Sequence, residues 1–411
     1  MLESLFTRAS AASRLRSTLL GPWLDSFADG LSALGYPSES CLSYVRLAAD
    51  LGRWMTGQKV PVEALDELVI GTYVARRKKQ DDRRRVAALH FLEHLRAAGV
   101  VAARPVVPDT SPWTPFCGRH EEYLRKERGA AEGTIEGYVA VTREFLRERF
   151  GTGEVDLAAI SASDIGGYLV RRSRSLSPKR VAYLATALRS FFRCLFVRGE
   201  IASDLSTAAL TAQLRHLATV PRYLAPEDVE KLLETCDPGT RSGKRNRAML
   251  LLMVRLGLRA GEVAALDLDD VRWRSGELVV RGKGNVVDRL PLLPEVGKAL
   301  ALYAAEARPR IPSRRLFLRL CAPIKGLAGR GGVSTVVRDG LERAGLRPAV
   351  RGAHLLRHSL GTRMIRAGAS MAEIGEVLRH HSPGTTEVYA KVDFEALRAI
   401  AQPWLGAGGA Q

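Results

Sequence analysis

The segment Leu378-Arg-His380-His-Ser-Pro-Gly-Thr-Thr-Glu-Val-Tyr389 lies near the end of the chain and combines a pair of histidines with a tyrosine. Tyr389 closely follows two threonines, a position that predicts a short helix able to present the tyrosine hydroxyl or withdraw it. A lone tyrosine of this kind is more often a half-buried helix residue. The meaning of the segment therefore depends on which other side chains converge on it.

Four further basic residues stand in short motifs upstream of this segment. They are Arg259 in Arg255-Leu-Gly-Leu-Arg259, Lys283 in Arg281-Gly-Lys-Gly-Asn285, and His354 with Arg357 in His354-Leu-Leu-Arg357-His358. Each alone is more often an ordinary surface residue. Taken together, cations around a tyrosine with no acidic metal cage nearby predict nucleophilic attack on a phosphodiester.

A phosphodiester is already negative, so an enzyme without a metal must supply cations to its nonbridging oxygens. Guanidinium groups offer a planar fork of donors, which makes Arg259 and Arg357 the candidates for this role. His354 lies three residues before Arg357, so both reach the same phosphate if that stretch is helical. His380 is expected to donate to a nonbridging oxygen.

The nucleophile and the leaving group each need a proton partner. A tyrosine hydroxyl has a reference pKa of about 10, and nearby cations would favour the phenolate. We expect His354 to accept the proton of Tyr389, and Lys283 to protonate the departing sugar oxygen from a mobile hairpin turn. Glu262 is placed to orient Arg259 or His354.

Composition favours a globular protein with a polyanionic partner. The chain has 411 residues, is 46% hydrophobic and 26% charged, and carries 62 Lys+Arg against 44 Asp+Glu, a formal charge of +18. Such a surplus favours nucleic acid, although an arginine-rich proteome would also produce it. No apolar run is long enough for a membrane span. The five cysteines form no C-x-x-C pair, so neither disulfides nor a zinc site is expected, and the cytoplasm is the expected location.

Two breaks divide the chain into three segments. A proline-rich linker covers residues 104–113 and a second linker covers residues 206–221. The expected fold class is mainly α and multidomain. Two small helical modules, 1–103 and 114–205, precede a mixed α+β domain at 222–404 and a flexible tail at 405–411.

The first two segments resemble each other. Tyr73-Val-Ala-Arg-Arg77 matches Tyr168-Leu-Val-Arg-Arg172, and other short matches follow in the same order after a slip in spacing. The sequence thus predicts an internal duplication of a four-helix module, although short Leu-, Ala- and Arg-rich helices also match by chance. A basic cluster precedes the last helix of the second module and forms our set of DNA-binding candidates: Arg171, Arg172, Arg174, Lys179 and Arg180.

The third segment changes character at residue 222. A helix is predicted from Pro226, a long helix from about Arg245 to Leu258, and a further helical run at Glu262–Leu266. Three short strands are expected around 270–273, 277–281 and 286–291, with a glycine-rich turn between the last two. Helices are expected from Pro294 to the end of the chain.

These motifs, in this order, resemble the tyrosine recombinases of the phage-integrase and Xer type over residues 112–404. The resemblance implies that Tyr389 attacks a DNA phosphate, leaving a 3′-phosphotyrosyl link and a free 5′-hydroxyl, and that a partner strand reverses the link. It implies that neither metal nor ATP is needed, and that residues 114–205 form a SAM-like core-binding domain. It also implies a homotetramer on two synapsed double-stranded DNA sites, alone or with related recombinases.

Three features depart from the family pattern. Arg379 stands where the family usually has glycine, and His381 makes the assignment of His380 ambiguous by one residue. Residues 1–103 are outside the minimal plan, and we hypothesise a second core-binding-like module for an extra DNA arm or for contacts between protomers.

Two alternatives stay open: a type IB topoisomerase-like or telomere-resolving enzyme, and a DNA-binding accessory protein that has lost catalysis. The biological setting, whether phage, transposon, plasmid or chromosome, also stays open.

Overall fold

The computed structural model describes residues 9–76, 82–104, 109–210, 222–282, 286–380, 383–387 and 389. The chain divides into two compact units. One unit joins Met1–Pro105 to Val220–Gln411, and the other is Val106–Thr219. In the described part of the chain, no helix combines the length and apolarity that crossing a membrane requires.

The front module, predicted at residues 1–103, has its own core, and its described elements are helical. Its helices are α1 (Ala9–Arg16), α2 (Leu24–Ala33), α3 (Ser38–Gln58), α4 (Glu67–Ala75) and α5 (Asp82–Ala97). Helix α3 buries Cys41, Val45, Ala48, Leu51 and Met55, a spacing of three to four residues that keeps one face against the core. The module contacts the C-terminal segment of the same unit, Val220–Gln411, since the Ile324 amide donates to the Leu34 carbonyl oxygen at 2.8 Å.

The second unit repeats this order of elements. Its helices are α6 (Thr114–Glu122), α7 (Glu132–Phe150), α8 (Ala162–Ser173) and α9 (Pro178–Val197). As in the front module, a long helix, a 3₁₀ turn, a short helix and a second long helix follow one another. Gly99 and Gly199 follow the last helices, and both have φ of +69°. A left-handed residue at this position ends a helix, and glycine adopts it without strain.

The first helices of the C-terminal segment are α10 (Pro226–Glu234), α11 (Arg241–Leu256) and α12 (Ala260–Ala265). Helix α11 is the central element, because an unbroken run from Ala248 to Val254 is buried. Its first turn is capped by Thr240, whose hydroxyl accepts from the Gly243 amide at 3.0 Å. This helix and α10 confirm the sequence prediction, within a few residues at each end.

A small antiparallel sheet follows, as predicted. Strands β1 (Val271–Arg272), β2 (Glu277–Arg281) and β3 (Val287–Pro291) lie in the order β1-β2-β3, and Val279 pairs with Arg289. Strand β2 buries Leu278, Val279 and Val280, whereas β3 alternates between exposed and partly buried residues. The turn between β2 and β3 includes Lys283, which is outside the described residues.

The remaining helices are α13 (Pro294–Leu302), α14 (Gly329–Arg343), α15 (His354–Arg366), α16 (Met371–Leu378) and α17 (Pro383–Thr386). The prediction of continuous helices after Pro294 was wrong for residues 308–328, which contain no helix. Pro309 and Pro312 explain this break, because a proline supplies no amide hydrogen for a helix. An isolated bridge pairs Leu318 with Gly326 in this stretch.

Candidate active site

Arg259 is presented at the start of α12 by a tight turn. Gly257 ends α11 with φ of +64°, and a Cβ there would lie 2.7 Å from Leu378 and 3.1 Å from Leu360. The Arg259 amide donates to Glu262 Oε2 at 2.8 Å, and its guanidinium donates to Glu262 Oε1 at 2.7 Å. One third of the Arg259 side chain is exposed, against 5% for Glu262. The carboxylate therefore anchors the arginine while leaving part of it open to a ligand.

Glu262 also binds a second cation. Its Oε2 accepts from Arg379 Nη2 at 2.7 Å. Burial alone would raise the pKa of Glu262, but the Arg259 amide, Arg379 and the Arg259 guanidinium outweigh it, and the pKa is lowered. Glu262 is therefore a carboxylate at neutral pH. These contacts agree with the prediction that Glu262 orients Arg259, and a role toward His354 stays a prediction.

Arg357 is buried on α15, with 3% of its surface exposed. Its guanidinium donates to two backbone carbonyl oxygens, those of Gly257 and Leu378. Burial lowers the pKa of Arg357 to about 10, and the nearby Arg259 and Arg379 add to this effect. The group stays charged at neutral pH in a place that already holds two other cations. Such a cluster is favourable for an anionic ligand.

One open pocket joins these side chains. It has a volume of about 520 Å³, and its lining includes Arg259, Glu262, Arg281, His354 and Arg357. His354 and Arg357 both belong to the first turn of α15, as the H-x-x-R spacing predicts for a helix. Gly282, the last described residue before the hairpin turn, lines the same pocket.

Tyr389 lies in a buried seat beside this pocket. It is 1% exposed, and its hydroxyl is 2.9 Å from His358 Nδ1. Burial raises the pKa of Tyr389 to about 12, although Arg357 opposes the rise. In this arrangement the hydroxyl is neutral, which differs from the predicted phenolate. The expectation that His354 takes the tyrosine proton stays a prediction, and in this arrangement His358 lies within hydrogen-bond distance of the Tyr389 hydroxyl.

His380 packs against the same tyrosine. The two rings are stacked within 6° of parallel at 6.5 Å between centroids, and His380 Nδ1 is 2.7 Å from the Thr386 hydroxyl. Burial lowers the pKa of His380 to about 4, with further lowering from Arg357 and Arg259. His380 is therefore neutral at physiological pH. The alternative, His381, is outside the described residues.

The DNA-binding candidates of the second unit fall into two groups. Arg171 pairs with Glu148 at 2.9 Å, and Arg172 pairs with Glu144 at 2.6 Å and Glu148 at 2.7 Å. The other three, Arg174, Lys179 and Arg180, are exposed around the start of α9, and the Arg180 guanidinium lies 4.8 Å from the centre of the Tyr183 ring. A phosphate would have to displace a carboxylate from Arg171 or Arg172, whereas no ion pair of the other three is present among the described residues.

Two contributors escaped the sequence argument. His358 was quoted only as the end of a motif, yet it lies one helical turn after His354, and their ring centroids are 6.3 Å apart. Arg379 was noted as a departure from the family pattern, but its pairing with Glu262 joins positions 117 residues apart. Among the described residues, no group of three or more histidine, cysteine, aspartate or glutamate side chains is arranged to hold a metal ion.

Comparison with known proteins identifies two domain families in the chain. The profile of the phage integrase family matches residues 222–396, and that of the phage integrase N-terminal SAM-like domain matches residues 118–199. A putative integrase/recombinase of Sinorhizobium fredii, y4rA, is 39% identical over 92% of this chain and 93% of its own length. The tyrosine recombinase XerD of Listeria monocytogenes is 31% identical over 66% of this chain and 91% of its own length.

The fold has a counterpart among solved structures. The site-specific recombinase XerH, in a post-cleavage complex with its palindromic difH substrate, aligns with a TM-score of 0.56 at 22% identity. The alignment covers 75% of this chain and 92% of XerH. The chain thus belongs to the phage integrase family of tyrosine recombinases. It is an enzyme of site-specific DNA recombination that works through a covalent tyrosine intermediate.

Proposed function

We propose that Tyr389 is the nucleophile and that Arg259, Arg357, His354 and His380 hold the scissile phosphate. The observation that carries this assignment is the buried Tyr389 hydroxyl lying beside a pocket lined by Arg259, His354 and Arg357. Partly buried guanidinium groups stabilise phosphoryl charge more strongly than exposed ones, because water screens them less.

The proposed reaction balances without a cofactor. The Tyr389 oxygen forms a bond to phosphorus as the bond from phosphorus to the 5′ oxygen breaks. Lys283 gives its proton to that departing oxygen. As Tyr389 leaves its seat, its proton passes to His358, which is neutral because burial lowers its pKa, with His354 and Arg357 adding to the effect. Attack by a 5′-hydroxyl from a partner strand then reverses each transfer and releases Tyr389.

The described arrangement supports a resting state of the enzyme, in which Tyr389 is buried and does not react. A tyrosine with a pKa of about 12 is almost entirely protonated at neutral pH. We propose that DNA binding moves Tyr389 out of this seat and into line with the phosphate held by Arg259 and Arg357. The cations then act on the developing phenolate once burial no longer opposes them.

The domains take the following proposed roles. Residues 114–205 bind site DNA through Arg174, Lys179 and Arg180, residues 222–404 carry out the chemistry, and four protomers assemble on two sites. Residues 1–103 are a second core-binding-like module, an idea supported by the shared order of helices and by the matching glycines after the last helix of each module. The enzyme acts on DNA in the cytoplasm.

The reaction product separates this function from the alternative. Protein carrying Tyr389→Phe is used to enrich its sites from random DNA fragments, because binding without cleavage accumulates complexes. Wild-type enzyme is then given supercoiled plasmids with two sites, one site or none. Recombinant circles or deletions that need two sites support the proposal. Relaxation of the plasmid without sites would favour a type IB topoisomerase-like enzyme, and an absence of any strand breakage would favour an accessory protein.

A further inference from the structure

Arg379 has a backbone conformation that normally selects glycine. It ends α16 with φ of 52° and ψ of 56°, in the left-handed region. Within the described residues, only Lys59 and Arg379 combine a side chain with a positive φ. A Cβ makes this conformation unfavourable, and Gly257 occupies the corresponding position at the end of α11. An arginine here needs compensating contacts.

The Arg379 side chain supplies those contacts inside the protein. Only 4% of it is exposed, and Nη2 donates to Glu262 Oε2 at 2.7 Å. Its Nη1 donates to the Leu256 carbonyl oxygen at 3.4 Å, and its Nε lies 3.6 Å from Asp288 Oδ2. The guanidinium therefore joins the end of α11, the first turn of α12 and strand β3. In sequence, β3 directly follows the turn that contains Lys283.

Glu262 divides its two oxygens between two arginines. Oε1 accepts from the Arg259 guanidinium, while Oε2 accepts from Arg379 and from the Arg259 amide. Without Arg379, one face of a 5% exposed carboxylate would lose its charged partner. The carboxylate could then rotate, and the Arg259 guanidinium would lose its fixed direction. A displaced cation stabilises a transition state less well, because its position must match the phosphate closely.

We propose that Arg379 is a positioning residue for strand cleavage, which holds Glu262 and thereby fixes Arg259 on the scissile phosphate. This inference rests on the proposed function of the site. It assigns a role to a buried arginine in the left-handed region, where a side chain is unfavourable. The charge of Arg379 is matched by Glu262, so it serves the alignment of Arg259 instead of adding a free cation.

Replacing Arg379 by glycine distinguishes the loss of its side-chain contacts from any change in backbone strain. Arg379→Gly keeps the left-handed turn without strain, so the positions of His380 and α16 are preserved while the contact with Glu262 is lost. Lys59→Gly is the matched control, because Lys59 has φ of 57° at the end of α3 in the front module and is exposed. Arg379→Lys keeps a cation that can reach Glu262.

The experiment measures covalent attachment to a nicked DNA substrate in a single turnover, together with DNA affinity and the melting temperature. We expect Arg379→Gly to fold, to bind DNA within about threefold of wild type, and to cleave about ten to a hundred times more slowly. Arg379→Lys should recover part of the rate, and Lys59→Gly should cleave as wild type does. In a double-mutant cycle, adding Arg379→Gly to protein that already carries Glu262→Gln should slow cleavage by less than a further twofold.

Two results would overturn the inference while leaving the proposed function intact. One is a wild-type cleavage rate for Arg379→Gly, and the other is a cycle in which the losses of Arg379→Gly and Glu262→Gln multiply. If Arg379→Gly does not fold, Arg379→Lys in the cycle with Glu262→Gln decides by the same criterion. If wild-type protein forms no covalent complex that depends on Tyr389, the proposed function fails and this inference fails with it.

Discussion

Gly361 on α15 lies against the Tyr389 ring, and Gly361→Ala should displace that ring from its buried position. An added Cβ would lie 2.5 Å from the Tyr389 Cζ, 2.7 Å from Cε1 and 3.0 Å from the hydroxyl oxygen. Carbon atoms do not approach this closely, and the aromatic ring is rigid and 1% exposed. The ring must therefore move, or α15 must shift.

The size of the effect follows from the cost of overpacking. An extra methyl group in a well-packed core costs about 1–3 kcal/mol. This cost acts on the seated tyrosine alone, so it shifts the equilibrium toward the released ring by about 5- to 150-fold. Released tyrosine also regains an ordinary pKa near 10, because the burial that raises the pKa to about 12 is lost.

Fluorine NMR on protein labelled with 3-fluorotyrosine measures this directly. The Tyr389 resonance is identified by its absence from Tyr389→Phe protein. In wild-type protein the Tyr389 hydroxyl should titrate at a higher pH than the hydroxyl of free fluorotyrosine. In Gly361→Ala protein it should move toward the free position and titrate near the pKa of free fluorotyrosine.

Gly331→Ala is the matched control for helix propensity. Gly331 is exposed in α14, and a Cβ there meets nothing within 4 Å. This variant should gain roughly 0.5–1 kcal/mol of stability, because alanine favours a helix more than glycine does. The reasoning would be refuted if Gly361→Ala gained the same stability and left the Tyr389 resonance unchanged.

Three further outcomes are expected. Arg357→Lys should lower the free energy of urea unfolding by about 1–3 kcal/mol, because one ammonium cannot serve the carbonyl oxygens of both Gly257 and Leu378. The same variant should cleave DNA at least about a hundredfold more slowly, and an unchanged cleavage rate would contradict the role of Arg357. Burial lowers the pKa of His380 to about 4 in the folded state, so between pH 6.5 and 4 the unfolded chain binds a proton that the folded protein does not. The free energy of unfolding should therefore fall by roughly 2–3 kcal/mol as the pH drops from 6.5 toward 4. His380→Gln should flatten that acid limb in pH-dependent unfolding, and an identical limb would argue against it. Deletion of residues 1–103 should weaken site affinity or tetramer assembly in gel-shift and light-scattering measurements, and no change in either would refute a role for the front module.

Local signals in the sequence were sufficient for much of the fold. The strands at 277–281 and 287–291 follow from β-branched runs around a glycine-rich turn, and α10 follows from a proline and two acids in its first turn. These features depend on residues close together in the chain. The break at 308–328 was not predicted, although Pro309 and Pro312 each lack the amide hydrogen that a helix requires.

Long-range pairing accounts for most of what the sequence did not reveal. The Tyr389 hydroxyl meets His358 instead of His354, and both histidines lie on α15 one turn apart. Which of them faces the tyrosine depends on how α15 packs, and a motif does not contain that information. The burial of Tyr389 reverses the expected direction of its pKa for the same reason. Composition indicated many cations but could not show that Glu262 binds two of them.

The most direct test of the account uses a substrate with a nick beside the cleavage point, so that the released strand diffuses away and the covalent intermediate accumulates. Wild-type protein is incubated with this DNA, digested, and analysed by mass spectrometry for the residue that carries the phosphate. We predict one DNA adduct, on Tyr389, and none with Tyr389→Phe. An adduct on another residue, or an adduct formed by the Tyr389→Phe protein, would contradict the central claim.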